Sequence, residues 1–331
     1  MNLLGVKQLK SWLAAYLTSP TQLKKQGVLG MNQRNLACIG RLNERRLFPL
    51  VDDKLQTKLL AEDYQLATPR LLSVLRNQVD VKHFQRFLPK NQGFAIKPAK
   101  GSGGKGILVI VESRDQAYKK ASGQWLEAQD IERHLSNLIS GLYSLGGNPD
   151  VAIIETLIES APEFADFTFE GVPDIRIIIY RGYPVMAMMR LSTHASDGKA
   201  NLHQGAIGVG IDLMTGQARQ AVQKDRLIEY HPDTQKRLQD LVVNDWQKML
   251  ELASRCYDMT RLGYLGADLV LDAKQGALLL ELNARPGLAI QLANGQGLTP
   301  RLTAIDAWCE QIKGPELVYQ ERVAKAQQLF C

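Results

Sequence analysis

An α+β fold follows from how strand-like and helix-like stretches are spaced along these 331 residues. Strand-like runs come as neighbours joined by tight turns, at 174–190 and 266–284. The apolar period that marks helices lies in separate stretches, chiefly 124–145 and 233–258. The length suits one large domain, or two to three lobes around a cleft.

Residues 1–17, MNLLGVKQLKSWLAAYL, read as an amphipathic helix that packs on the protein. Lys7 and Lys10 interrupt its apolar run and no small-residue cleavage site follows, which argues against a secretory leader. Residues 1–50 are helical or irregular, with turns at Gly30, Asn32, Asn35 and Gly40. They carry Arg34, Arg41, Arg45 and Arg46, either as a solvated basic face or as a cap folded against the main body. Asp52 or Asp53 caps the next helix, where Leu55, Leu59 and Leu60 fall at helical spacing, and which ends before Thr68-Pro69.

GFAIK at 93–97 and ILVIV at 107–111 are strands on either side of KGSGGKG at 100–106. A helix at 124–145 ends at Gly146-Gly147-Asn148-Pro149, and VAIIETLI at 151–158 is a buried strand running into a connection. DIRIIIY at 174–180 turns through Arg181-Gly182 into PVMAMMR at 184–190. The polar stretch 192–206 is loop-like, and GADLVLDA at 266–273 turns near 274–276 into ALLLELNA at 277–284. The final residues are helical.

Composition narrows the function. No apolar stretch is long enough to span a bilayer. Cys38, Cys256, Cys309 and Cys331 form no CxxC pair and have no His at metal spacing. That argues against a zinc site or disulfide framework and fits a reducing cytoplasm. The net charge of +6 is spread along the chain, without a dense basic run interleaved with aromatics. It serves solubility or suits an anionic partner, a nucleotide or an acidic substrate, rather than nucleic acid.

Three constellations carry chemistry. The first is the glycine loop, whose backbone N–H groups can approach phosphate oxygens closely. It lacks the Gly-Lys-Ser/Thr ending of a P-loop, and a strand follows it instead of a helix, so it reads as a flap that folds over a triphosphate. Lys97, at the end of the preceding strand, needs an anionic partner if buried. The second is the acidic hairpin. Glu281 and Asn283 share a face, and a turn at 274–276 sets Asp268 opposite Glu281. Facing carboxylates in an apolar strand pair repel, and a divalent cation held by two carboxylates and an amide oxygen relieves this; the competing reading is an edge strand with solvated acids. The third is arginine placement. Arg176 interrupts an apolar strand and Arg190 ends its partner, so each needs a carboxylate or phosphate; Asp174, on the face of Arg176, is the nearest salt-bridge candidate. His203 reads as a base or as a satisfied structural histidine. No Ser/His/Asp or Cys/His arrangement stands out, so no nucleophilic side chain is called for.

In this order the elements resemble the ATP-grasp superfamily, with a closer likeness to RimK-type α-L-glutamate ligases. The segments that carry the resemblance are DDKLQTK at 52–58, FAIKPAKGSGGKGI at 94–107, IIETLI at 153–158, DIRIIIY at 174–180, MMR at 188–190, NLHQGA at 201–206, GADLVLD and LLLELNARPGL. They span roughly residues 50–310. The resemblance implies two α+β lobes gripping ATP between their sheets, with a short helical N-terminal cap. Its divisions are 1–51 for the cap, 52–156 for the N-terminal lobe with the flap, 157–315 for the C-terminal lobe with the metal site, and 316–331 for a tail.

It also implies roles. Lys97 and Lys54 contact the nucleotide, and Gly101, Ser102, Gly103 and Gly104 cover its phosphates. Glu155, Thr156, Leu157 and Ile158 form the hinge, Thr156 and Leu157 reading adenine through backbone groups. Asp174 lies near the ribose, Lys199 and Asn201 add ATP contacts, and Arg176 and Arg190 stabilise the transferring phosphate. Asp268, Glu281 and Asn283 hold Mg²⁺, or Mn²⁺, beneath the glycine flap, clamped from above by Lys97. The implied reaction joins a small-molecule or peptide carboxylate, such as glutamate, to an amine through an acyl-phosphate. A nucleotide-sensing module and a phosphotransferase are the alternatives. RimK-type ligases carry a full α/β domain before these lobes. Here about fifty residues precede DDK, so the Arg-rich cap, suited to an acidic substrate, or a partner subunit takes that place.

Overall fold

The computed structural model describes residues 19–330 except 91, 102, 115, 313 and 315, so the stretch read as an amphipathic helix at 1–17 lies outside the described residues. Two antiparallel sheets organise the chain. The first contains β1 (Leu71–Leu75), β2 (Phe94–Pro98), β3 (Leu108–Arg114), β4 (Ala117–Lys120), β5 (Trp125–Leu126) and β6 (Ala152–Thr156), in the order β1-β6-β2-β3-β4-β5. The second contains β7 (Asp174–Tyr180), β8 (Tyr183–Leu191), β9 (Ile207–Ile211), β10 (Ala218–Gln223), β11 (Arg226–Ile228), β12 (Tyr264–Asp272) and β13 (Gly276–Asn283), in the order β11-β10-β9-β8-β7-β12-β13. The helices used below are α1 (Lys54–Asp63), α2 (Ala128–Ile139), α3 (Trp246–Thr260), α4 (Ile290–Asn294), α5 (Thr299–Gln311) and α6 (Tyr319–Phe330). The α+β expectation holds.

Strand alternation decides which residues reach the space between the sheets. In β7, Ile175, Ile177 and Ile179 enter a core with Met249, Leu250 and Ala253 of α3. Ile178 and Tyr180 face the other way, onto Leu29, Cys38 and Ile39 of the N-terminal segment. Burying each such isoleucine contributes about 2 kcal/mol, which fixes the strand's phase. Asp174 and Arg176 share the parity of Ile178 and therefore stand on the face away from α3. In the first sheet, Phe94, Ile96, Ala152 and Ile154 pack on Ile131 and Leu135 of α2. That turns Lys97 and Glu155 to the opposite face, where Leu55 of α1 packs on Ile153 and Ala99.

The two hairpins of the second sheet lie where the sequence places them. Two helices do not. The helix expected at 124–145 starts at Ala128, where Glu127 and Asp130 form a reciprocal capping pair, and ends at Ile139. The helix expected at 233–258 starts only at Trp246. Upstream, Ala218 N–H donates to Leu241 O (2.9 Å) and Val243 N–H to Gly216 O (3.0 Å), so residues 241–243 pair with a strand end instead of with their own helix. In α1 the cap is Asp53, which accepts from the N–H groups of Leu55 and Gln56. Leu55 is buried as expected, whereas Leu59 is exposed; the buried stripe is Leu55, Lys58 and Ala61.

The N-terminal segment is tied to the acidic hairpin by Asn43. Its amide donates to Tyr264 O (2.7 Å) and accepts from Tyr264 N–H (2.9 Å), at the start of β12. Its arginines differ: Arg41 pairs with Asp306 and Arg46 with Glu44, both exposed, while Arg34 donates to Pro286 O at 2.9 Å.

Candidate functional site

Register brings the acid set together. Asp268 pairs directly opposite Glu281, and Gly266 opposite Asn283. Asn283 Nδ2 lies 3.1 Å from Asp268 Oδ2 and 3.4 Å from Glu281 Oε1. The three side chains expected to act together are one cluster.

What neutralises Asp268 differs from the sequence expectation. Its neighbour across the other edge of β12 is Arg176 of β7, which donates from Nε (2.7 Å) and Nη2 (2.5 Å). Arg190 of β8 adds a bond from Nη2 at 2.9 Å and holds Asp174 through a second fork. The expected Asp174–Arg176 pair does not form. Asp174 and Arg190 are register partners across β7 and β8, and a cross-strand pair brings the side chains closer than an i, i+2 pair on one strand. The buried chain Asp174–Arg190–Asp268–Arg176 balances two carboxylates with two guanidiniums. A metal is therefore not needed to offset the repulsion between Asp268 and Glu281.

This balance moves the carboxyls apart. Burial pushes Asp268 up, but Arg176 and Arg190 outweigh it and hold the group well below the usual carboxylate range. Burial, then the like charge of Asp268, pushes Asp174 up to about 6 against Arg190 and, more weakly, Arg176. Burial disfavours the charged form of Arg190, but Asp174 and Asp268 prevail and raise its pKa.

On the facing sheet, Lys97 Nζ lies 2.5 Å from Glu155 Oε2, and Lys58 Nζ lies 2.9 Å from Glu155 Oε1. All three are buried. Two ammonium groups share one carboxylate, so the triad carries one surplus positive charge, and burial followed by the proximity of Lys97 lowers the pKa of Lys58, Glu155 offsetting in part. Lys58 was missed in the sequence. The signal was available: a lysine inside the buried stripe of α1, four residues after Lys54. The expectation that Lys97 clamps the acid set is not met. Among the described residues its ion-pair partner is Glu155, which answers the need of a buried lysine for an anion.

The residue that joins the sheets is Lys54. Its Nζ donates to Gly101 O in the glycine loop at 2.7 Å and lies 3.5 Å from Glu281 Oε2. Lys54 and Lys58 are one helical turn apart, so α1 sets the loop, the acid set and the buried triad side by side. The loop's stem is fixed: Gly101 bridges Ser144, and Lys100 N–H donates to Asp150. Gly103 and Gly104 adopt positive φ, +62° and +75°, which free their backbone for close approach. A Cβ on Gly103 would stand 4.0 Å from Asn201 Nδ2, so the loop reaches across to the second sheet. Ser102 lies outside the described residues.

The remaining expected residues divide. Asn201 Oδ1 caps the turn at 202–204, accepting from His203 N–H. Lys199 pairs with exposed Asp197 at 3.0 Å and is not drawn into the cluster. Thr156 is committed to Arg70, its N–H donating to Arg70 O and its Oγ accepting from Arg70 N–H, so its N–H is not free to read a base. Leu157 and Ile158 lie just past β6.

The donor set fits a hard divalent cation, with a limit. Among the described residues no group of three or more His, Cys, Asp and Glu side chains is arranged to hold a metal. Glu281, whose side chain is 32% exposed, keeps open lone pairs, Asp268 Oδ1 accepts only one bond, and a half-turn of the Asn283 amide presents its oxygen. Two carboxylates and an amide are what Mg²⁺ takes when substrate phosphates complete its shell.

Residues 33–307 match the family described as sugar-transfer associated ATP-grasp. The chain belongs to that family. The ATP-grasp expectation thus holds, and the family that matches is the sugar-transfer associated one. Solved structures similar to this ATP-grasp chain include ATP-grasp ligase PsnB complexed with its minimal precursor, at 16% identity and a TM-score of 0.42 over 82% of this chain and 64% of that one. The D-cycloserine synthetase DcsG is 16% identical, with a TM-score of 0.47 over 82% and 74%. A RimK domain protein from Sphaerobacter thermophilus is 11% identical, with a TM-score of 0.46 over 80% and 70%. The ATP-grasp chain spans less than two thirds of the PsnB ligase. No curated protein matches it. No described helix is long and apolar enough to cross a membrane.

Proposed function

We propose that this ATP-grasp chain is an ATP-dependent carboxylate–amine ligase working through an acyl-phosphate. The observation that carries the reading is Lys54, which touches the phosphate-type loop at Gly101 and the acid set at Glu281 at once. A triphosphate between the two sheets meets loop N–H groups on one side and the surplus charge of Lys58 and Lys97 on another, with Asp268, Glu281 and Asn283 beyond its end. Exposed Val109, paired opposite Ala95, stands on the face of Lys97 and offers the base an apolar wall. Lys199, Leu157 and Ile158 remain in the proposed nucleotide site on the strength of their sequence positions alone. The divisions at residues 51, 156 and 315 are kept as the working boundaries of the cap, the two lobes and the tail.

In the first step a carboxylate oxygen of the substrate attacks the γ-phosphorus, the bond to the bridging oxygen breaks, and ADP leaves. In the second the amine attacks the acyl carbon, phosphate leaves and the amine proton passes to solvent. Mg²⁺, or Mn²⁺, held by Asp268, Glu281 and Asn283 would screen the phosphate oxygens and the departing charge. The chain's own part is positioning and electrostatics. Arg176 and Arg190 are held rigid by Asp268 and Asp174, so guanidinium N–H groups not used on carboxylates stay aimed at the transferring group. No side-chain nucleophile is required. Glutamate is the acid the sequence resemblance favours and is the first donor to assay, in the cytoplasm-like reducing conditions that suit free Cys38 and Cys256.

The test is incubation of the protein with Mg-ATP, glutamate or other carboxylates, and a panel of amines, with ADP measured and products identified by mass spectrometry. An amide with stoichiometric ADP and phosphate supports the reading. A phosphorylated product would assign a phosphotransferase, and tight Mg-ATP binding without turnover of any carboxylate would assign a nucleotide-sensing module.

A further inference from the structure

A cavity of about 1590 Å³ opens not between the sheets but on the cap side of the second sheet. It is bounded by the N-terminal segment, β10, α4, α5 and the end of α6. At one end it reaches the proposed reaction site: Gly287 lines it, and a Cβ on Gly287 would stand 4.0 Å from Arg176 Nη1. Arg34, also in the lining, holds the Pro286 carbonyl next to it. The wall between the ends carries Leu29, Leu288 and Pro300, joined by Met31, Leu292 and Leu227, which are 65%, 50% and 69% exposed, with polar Gln220 and Asp225 among them.

The far end holds Arg301, which is 9% exposed. Its Nη1 donates to Val185 O (2.7 Å), its Nη2 to Gln296 Oε1 (3.2 Å), and its plane lies over Phe330 at 5.0 Å. Among the described residues no carboxylate pairs with it. Asp212, which also lines the cavity, faces Arg219 at 3.7 Å. Burial, then the like charge of Arg219, pulls its pKa down to about 10. A buried guanidinium with no carboxylate paired to it among the described residues retains N–H donors after its two neutral contacts. Val185 lies three residues along β8 from Met188, the register partner of Arg176, about 10 Å at the rise of a strand.

We propose that this groove is the substrate site of the ligase and takes an elongated molecule with an apolar body and an anionic terminus. The terminus, a carboxylate or a phosphate, sits on Arg301, and the reacting end lies by Gly287 and Arg176. The proposal rests on the ligase reading and assigns its substrate class. The span excludes short acids such as glutamate as sole occupants, because they cannot reach both ends.

The test is calorimetric binding of hexanedioate, dodecanedioate, the monomethyl ester of dodecanedioate, and a chain of matched length ending in phosphate, to the full protein with Mg-ADP. The long diacid should bind, hexanedioate should not, and the monoester should bind about tenfold to hundredfold more weakly, the range for a charge-assisted hydrogen bond. Tighter binding of the phosphate or of the carboxylate form identifies the terminus. Arg301→Gln should abolish the difference between diacid and monoester while Mg-ADP affinity stays within twofold. The ester comparison on the unaltered protein reads the same contact should that variant fail to fold. Equal binding of diacid and monoester, or no binding of any long acid, overturns the groove assignment. Failure of Mg-ADP itself to bind would instead sink the ligase reading.

Discussion

Replacing Asp268 by Asn removes the charge on which the buried cluster balances. Asp268 is fully buried and accepts from Arg176 twice, from Arg190 and from Asn283. With its charge gone, Arg176 loses its carboxylate partner and Arg190 keeps only its fork to Asp174, and the Asn amide turns a donor toward donors. Removing one partner of a buried ion pair costs about 3–5 kcal/mol, a large share of the roughly 5–15 kcal/mol that holds a domain folded. At a urea slope of about 3 kcal/mol/M the unfolding midpoint should fall by about 1 M or more. The assay is urea titration at neutral pH, followed by tryptophan fluorescence, on wild type, Asp268→Asn, Arg176→Met and the double variant. The double variant should recover part of the loss, because the second change removes the stranded guanidinium. A stability within about 0.5 kcal/mol of wild type would be the behaviour of a solvated edge acid. It would refute the buried-network account.

Other single substitutions test the remaining expectations. Lys54→Ala should raise the Mg-ATP Kd about tenfold or more, the loss of a charged hydrogen bond, while leaving the melting temperature nearly unchanged; titration calorimetry decides. Glu155→Gln strands Lys58 and Lys97 and should cost about 3–5 kcal/mol, whereas Lys58→Met should be neutral or stabilising in the absence of nucleotide; denaturant melts that reverse this order would contradict the triad. For pH the two buried aspartates act in opposite windows. Asp174, raised to about 6, adds stability below the ordinary carboxylate pKa that is lost as pH climbs from about 4 to 6, up to about 3 kcal/mol. Asp268, held low, adds stability present above about 4 and lost as pH falls below it. Asp174→Asn should therefore flatten the decline between pH 4 and 6 in urea melts, and an unchanged slope would remove the assignment. Gly106→Ala should loosen the loop and weaken nucleotide binding, since φ is +76° and a Cβ would strike the Tyr143 ring at 2.5 Å; Gly30→Ala, with open space around it, is the control.

The hairpins were legible because each joins two apolar, strand-like runs through a tight turn that contains glycine, so Asp268, Glu281 and Asn283 could be set side by side by counting from the turn. The glycine loop was legible as a strand-flanked flap for the same reason. Partner choice was not. Counting along β7 puts Asp174 and Arg176 on one face, but which cation each acid takes depends on β8 and β12 lying to either side, a fact of sheet order that no local window contains. Lys58 hid in an apolar stripe where a leucine was the natural expectation. The stretch 233–245 carries Leu238, Leu241 and Val243 at spacings that suit a helix or an extended edge, and the strand end at 216–218 decided for the edge. Arg301 gave no local sign at all, since its isolation from carboxylates is set by helices and strands far apart in sequence.

The central claim is that one nucleotide lies between the sheets, touching the loop, Lys97 and the acid set together. The measurement that tests it most directly is a crystal structure with Mg-ADP. The account predicts the β-phosphate against the N–H groups of residues 101–104 and near Lys97, and the ion within bonding distance of Glu281 and Asp268. A nucleotide seated elsewhere, or an ion shared by none of the three side chains at 268, 281 and 283, would contradict it.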